Sequence, residues 1–284
     1  MTIEPPEFGE SPARPGPADF TPAAVPLARP VHAPSPSPAS PMLLTERSRS
    51  AALLELGVFA LLVLFLSLAV GQLGWAARQF ELVKSEQTAL LGSTIVFSVL
   101  AVACLVAVLK RGGGNFASVG LAARGLGVNV ALGIAAAVAA FGAFYVAIGI
   151  LYLVYTPGYE SMQSNAGELA DSLPKLHPIG FFLLSIWVGV WEELAFRGFV
   201  LTRLRRVFGR WWPAVLISSI LFALPHMETQ MRVMTFPLFM IAVTWALITI
   251  WRKSLIPAII GHALFDFIML IFVFYGPAGP IAEG

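Results

Sequence analysis

The sequence predicts an all-α membrane protein, a polytopic bundle of about seven transmembrane helices behind a disordered N-terminal tail. Composition is the first reason. Of 284 residues, 57% are hydrophobic and only 12% are charged, whereas a soluble domain carries about a quarter charged residues. Mean hydropathy is correspondingly high, at +0.80. The second reason is distribution. The apolar residues gather into seven runs, several of them near the ~20 residues needed to cross the hydrocarbon layer, with apolar side chains on every face. Strands of a membrane barrel would be about half as long and would alternate in polarity.

Residues 1 to about 45 are rich in Pro, Ala and Ser, as in Ala33-Pro34-Ser35-Pro36-Ser37-Pro38. Such a segment has too few large apolar groups to repay its ordering entropy. It also lacks the basic patch and short apolar core that open a signal peptide. It is expected to be a solvated extension, and 46–284 the transmembrane domain. The runs fall at about 51–77, 88–109, 127–155, 178–200, 211–227, 235–251 and 255–275, the fifth and sixth being short. The third is dense in small residues (Ala135-Ala136-Ala137-Val138-Ala139-Ala140), which let helices approach closely in lipid.

Several function classes recede on composition alone. The net charge is +2, and no basic stripe with interleaved aromatics suggests nucleic-acid binding. Cys104 is the single cysteine, so neither an intrachain disulfide nor a cysteine-based metal site can form; in its apolar run it reads as a small hydrophobe. No internal repeat is evident, which weighs against a transporter.

Loop charges predict the orientation. With the N-terminus in the cytoplasm, the inner stretches hold Arg47, Arg49, Lys110, Arg111, Arg124, Arg203, Arg205, Arg206, Arg210, Arg252 and Lys253. The outer side holds Arg78, Lys84, Lys175 and Arg232, with Glu160, Glu168 and Asp171 in one loop. An odd number of spans then puts the C-terminus outside.

Charges inside a membrane are costly and tend to be paired and functional. Glu55, one turn into the first run, is expected to be a boundary residue near Arg49 or Arg47. The remaining intramembrane groups concentrate late in the chain: Glu192, Glu193, Arg197, His226, His262 and Asp266. The other two histidines, His32 and His177, fall in the tail and a loop. Glu193 and Arg197 stand four apart with Glu first, the favourable order for an ion pair on one helix face. Glu192 is rotated by ~100° from Glu193 and cannot share that arginine equally. It is the freer carboxylate, suited to exchanging protons with a neighbour.

His262 and Asp266 also stand four apart, so both project from one face of the seventh run. Taken alone, they read as a structural hydrogen-bonded pair, and His226 as an interfacial residue. Taken together, Glu192, His226, His262 and Asp266 on three helices point to one converging site. Helix rise alone, ~1.5 Å per residue, would carry His226 nearer the far surface than Glu192 and His262. Tilt, a later helix start or a bend at Pro225 would reconcile the levels.

With these residues in view, the chain resembles the CPBP intramembrane proteases, also called the CAAX protease, bacteriocin-processing or Abi family. The family motif Glu-Glu-x-x-x-Arg stands as Glu192-Glu193-Leu194-Ala195-Phe196-Arg197. Phe-x-x-x-His stands as Phe222-Ala223-Leu224-Pro225-His226, and His-x-x-x-Asn/Asp as His262-Ala263-Leu264-Phe265-Asp266. Each pattern is weak alone; the ordered triple in hydrophobic helices is specific. The first ~125 residues carry no motif. The resemblance implies an intramembrane endopeptidase with its catalytic core at about 178–275. It implies that Glu192 and His226 activate the attacking water, that His262 and Asp266 stabilise the oxyanion, and that Glu193 and Arg197 support the site.

Asp266 departs from the asparagine that would donate a hydrogen bond to an oxyanion. It can serve as a neutral carboxylic acid, as some catalytic acids do, as an acceptor that orients His262, or as a metal ligand. Glu192, His226, His262 and Asp266 would make a credible zinc set. The family was named for metalloproteases, yet its eukaryotic CAAX members resemble a metal-independent, glutamate-dependent enzyme. No cofactor is therefore favoured, and zinc is the alternative. The expected partners are membrane lipid and a membrane-associated peptide or protein substrate, in a bacterial inner membrane. Two other readings compete: a non-catalytic scaffold or immunity-type protein of the same fold, and a transporter or proton relay built on the same groups.

Overall fold

A computed structural model of the chain describes residues 48–121, 125–155, 173–227 and 234–276; these are helices joined by short turns, with no strand among them. The tail, His32, Arg124, Glu160, Glu168, Asp171 and Arg232 lie outside the described residues. Six helices are long and apolar enough to cross a membrane, and the protein is an integral membrane protein. They are α1 (Arg49–Gln79), α2 (Glu86–Arg111), α3 (Leu126–Val154), α4 (Pro178–Phe208), α6 (Thr235–Arg252) and α7 (Ile256–Tyr275). The fifth apolar run forms a shorter helix, α5 (Trp211–Ala223), which tightens into a 3-10 turn over Leu224–Met227.

Local chemistry sets the helix ends. Ser48 and Ser85 cap α1 and α2 by accepting hydrogen bonds from the backbone N–H groups of Ala51 and Thr88, satisfying donors that a helix N-terminus leaves open. Pro178 and Pro257 stand in the first turns of α4 and α7, where a missing N–H costs nothing. α4 ends at Gly209 in the left-handed region, φ 70°, which glycine enters without penalty.

The fourth run is longer than its apolar stretch suggests. α4 is α-helical to Glu193, widens into a π-helical turn over Leu194–Val200, and resumes as α-helix over Leu201–Phe208. Single π turns accommodate an extra residue and occur often at functional sites.

Helices α3, α4 and α7 pack closely because glycines stand where they cross. A Cβ on Gly261 of α7 would lie 2.9 Å from Ala136 Cβ and 3.2 Å from the Gly133 carbonyl oxygen of α3. A Cβ on Gly189 of α4 would lie 3.1 Å from the Ile259 carbonyl oxygen of α7. In lipid, where apolar side chains are equally content outside, such close approach is a main source of association. Outward faces are correspondingly apolar, with Leu61, Leu64 and Phe65 of α1 exposed.

One end of the bundle is basic. There the start of α1 meets the end of α4, and Arg203 Nε donates to Glu55 Oε2 at 3.0 Å. Glu55, expected at this boundary, is thus bonded to an arginine 148 positions away. At the same end Arg252 Nε donates to Asn129 Oδ1 at 2.8 Å, and the Leu255 N–H donates to the Gly120 carbonyl. At the opposite end Tyr275 Oη donates to the Leu176 carbonyl, tying α7 to the entry of α4.

Gly189→Val should wedge α4 from α7 and cost about 1–3 kcal/mol, as overpacking does, lowering the thermal midpoint of the detergent-solubilised protein. Gly142→Ala, at a position where a Cβ meets nothing within 4 Å, should leave the midpoint unchanged or raise it. Equal midpoints for the two variants would refute the close-crossing account.

Candidate active site

The site is built where α4, α6 and α7 meet below the end of α5. Glu192 and Glu193 close the α-helical part of α4, and Arg197 lies in the π-helical turn that follows. Glu193 is fully buried and Arg197 is 1% exposed; Arg197 Nη1 donates to Glu193 Oε1 at 2.8 Å. The second guanidinium arm donates to the Ala242 carbonyl of α6 at 3.1 Å. The guanidinium also lies over the Phe222 ring, 4.4 Å from its centroid, and 5.4 Å from that of Trp245. A buried arginine is tolerable here because carboxylate, carbonyl and two π faces surround it.

Glu193 does more than the spacing argument assigned it. Its Oε1 is also 2.9 Å from His262 Nδ1, so one carboxylate oxygen joins the arginine of α4 to the histidine of α7. The other ring nitrogen, Nε2, lies 3.3 Å from Asp266 Oδ2 and 3.8 Å from Glu192 Oε2. His262 therefore presents both nitrogens to carboxylates, with its ring in a fixed orientation. Asp266 is thus in contact with His262 across the four-residue spacing that put both on one face.

The two adjacent glutamates differ in surroundings. Glu193 is sealed, whereas Glu192 retains 16% of its side-chain exposure and makes only the longer approach to His262. Asp266, at 27%, is also on the open side of the cluster. The half-buried His226 closes α5. Its ring is 5.8 Å from that of Phe222 one turn earlier, and Phe222 is itself 6.0 Å from the His262 ring. The 3-10 turn at Leu224–Met227 ends this helix, and the Phe222 ring stands between those of His226 and His262.

Helix α6 supplies what residue-by-residue inspection of charge did not find. Trp245 stacks on His262 with centroids 4.1 Å apart and planes 15° from parallel, and the Ala242 carbonyl receives Arg197. Zinc was the alternative cofactor. Among the described residues, no three His, Cys, Asp or Glu side chains gather so as to hold a metal ion.

The fold and this cluster define a class: an integral membrane protein with a cluster of ionisable side chains gathered inside its helical bundle. More narrowly, residues 174–268 match the family described as type II CAAX prenyl endopeptidase Rce1-like. That segment contains all three motifs, and the match agrees with the CPBP and CAAX protease resemblance. No curated protein and no solved structure matches the chain.

Arg197→Met leaves Glu193 buried without its cation and should cost about 3–5 kcal/mol, read as a lower thermal midpoint. Adding Glu193→Gln in the same chain should recover part of that loss. Additive losses in the double variant would show that the two side chains do not act as a pair.

Proposed function

We propose that the protein is an intramembrane endopeptidase that hydrolyses a peptide bond of a membrane-associated peptide or protein. Catalysis is assigned to the segment 178–275, with Glu192, His226, His262 and Asp266 as its working residues and Glu193 and Arg197 as support. The carrying observation is the pairing of a partly open carboxylate, Glu192, with a histidine whose ring is fixed by Glu193 and Asp266. The family match over 174–268 adds the reaction class.

In this reading Glu192, with His226, takes a proton from a water molecule as its oxygen attacks the scissile carbonyl carbon. The carbonyl π electrons move onto oxygen, and the Nε2–H of His262, which faces Asp266 before substrate enters, turns to donate to that oxyanion. Glu193 holds the ring in place at Nδ1, and Asp266 keeps the Nε2–H aligned until the carbonyl oxygen arrives. Collapse re-forms the carbonyl and breaks the C–N bond, and the proton first taken up passes to the departing amine. Water is consumed, and a carboxyl and an amino terminus are released. Glu193 neither gives nor takes a proton; it keeps His262 and Arg197 together. We further place the N-terminus in the cytoplasm, on the strength of the basic end of the bundle, and the protein in a bacterial inner membrane.

Purified protein in detergent or proteoliposomes should cleave a membrane-tethered peptide. Glu192→Ala and His226→Ala should each lower turnover by at least two orders of magnitude, the range that acid–base groups contribute, while the thermal midpoint stays near that of the wild type. Cleavage at wild-type rate by Glu192→Ala would overturn the proposal. Cellular function that survives both substitutions but fails when a helix surface is altered would favour a scaffold.

A further inference from the structure

The stack of Trp245 on His262 belongs to none of the three motifs, and Trp245 lies on a helix that contributes no ionisable side chain to the site. Trp245 is 1% exposed and among the largest fully buried side chains described. Its ring lies nearly parallel to His262 at 4.1 Å, edge-on to Phe222 at 6.1 Å, and beneath the Arg197 guanidinium at 5.4 Å. One indole therefore touches a residue from each of the three motifs.

Filling a core does not by itself call for an indole. The buried Nε1 of Trp245 has no hydrogen-bond partner among the described residues, and a buried unsatisfied donor costs about 1–3 kcal/mol. A phenylalanine or leucine would avoid that cost. What tryptophan adds is the largest and most electron-rich π face, the best of the aromatic faces for holding a cation or a polar ring.

The geometry also leaves one motion of His262 for the stack to control. Its contacts to Glu193 at Nδ1 and Asp266 at Nε2 lie at opposite edges of the ring and limit rotation within its plane. They resist tilting about the line that joins the two nitrogens only weakly, because the contacts point outward close to that line and are bent little by such a tilt. A parallel ring 4.1 Å away blocks that tilt.

We propose that Trp245 is a positioning residue of the site: its indole face fixes the plane of the His262 imidazole, and so the direction in which Nε2 donates. The inference rests on the proteolytic reading for its kinetic consequence, but its structural part can be measured without any substrate. Misplacing a catalytic group by ~1 Å can cost on the order of a hundredfold in rate, so loss of the stack should act on turnover rather than on peptide binding.

The test uses the full chain in detergent micelles with 13C,15N-labelled histidine, and the variants Trp245→Phe and Trp245→Leu. In the wild type, the His262 ring protons should be displaced upfield by the indole ring current, with the resonance identified from a His262→Gln sample. Trp245→Phe should keep most of that displacement and Trp245→Leu should abolish it. With a membrane-tethered peptide, kcat should fall at least tenfold in Trp245→Leu and recover to within about threefold of wild type in Trp245→Phe, with KM within twofold throughout. The thermal midpoints of the two variants should not follow the order of their rates.

Equal kcat for wild type and Trp245→Leu would overturn the inference. So would a loss of rate in both variants that simply tracks a loss of thermal midpoint, which is the signature of a packing residue. An unshifted His262 resonance in the wild type would overturn it independently of kinetics. A wild-type protein that cleaves no peptide while showing the ring-current shift would instead overturn the proteolytic reading, so the two failures are distinguishable.

Discussion

A single carboxylate oxygen, Glu193 Oε1, is shared between the guanidinium of Arg197 and the imidazole of His262 in the dry interior of the bundle, and the rest of the structure answers to that arrangement. Removing an ion from water costs several kcal/mol even after the protein relaxes, and attraction offsets this only when geometry is good. Three helices must therefore be held in register. α4 supplies Glu193 and Arg197, α7 supplies His262, and α6 supplies the carbonyl that takes the second arm of Arg197. The small residues at the crossings of α3, α4 and α7 meet that demand, since bulk at Gly189 or Gly261 would separate the backbones that carry these groups.

The same constraint explains how two adjacent glutamates come to differ. Helical rotation turns Glu193 into the bundle, where Oε1 serves both Arg197 and His262, and leaves Glu192 toward the open side. A fixed partner is useful for support and unhelpful for proton exchange. Neighbours in sequence can thus divide into an anchor and a reactive group without any change of residue type.

Much of this was legible in the chain. Hydropathy alone located the seven apolar helices, though it ended α4 near 200, because a lipid solvent imposes a length and a polarity that few sequences satisfy by accident. The pairs Glu193–Arg197 and His262–Asp266 could be read from spacing, since four residues along a helix is a local relation. Partners between helices were harder. Arg203 and Glu55 are separated by just over half the chain, and nothing in the charge pattern singles out that pairing among the basic residues nearby. Trp245 gave no signal because an aromatic residue in an apolar helix has no contrast with its surroundings. The Ala242 carbonyl gave none because every residue has one. The shortened fifth helix was hinted at by its length, but the 3-10 turn that delivers His226 depends on packing against Phe222.

The π-helical turn over Leu194–Val200 lets this part of the chain carry one residue more than an ordinary helix would hold in the same length. Upstream, α4 must face α7 so that Glu193 meets His262. Downstream, it must face α1 so that Arg203 meets Glu55. Deleting one residue within the turn would let it close into ordinary α-helix with both flanking registers kept, whereas a deletion in the regular helix on either side would swing everything after it by ~100°. One of the two appointments would then be missed. Changes of length in α4 should therefore be absorbed at the π-helical turn and not in the α-helical turns beside it.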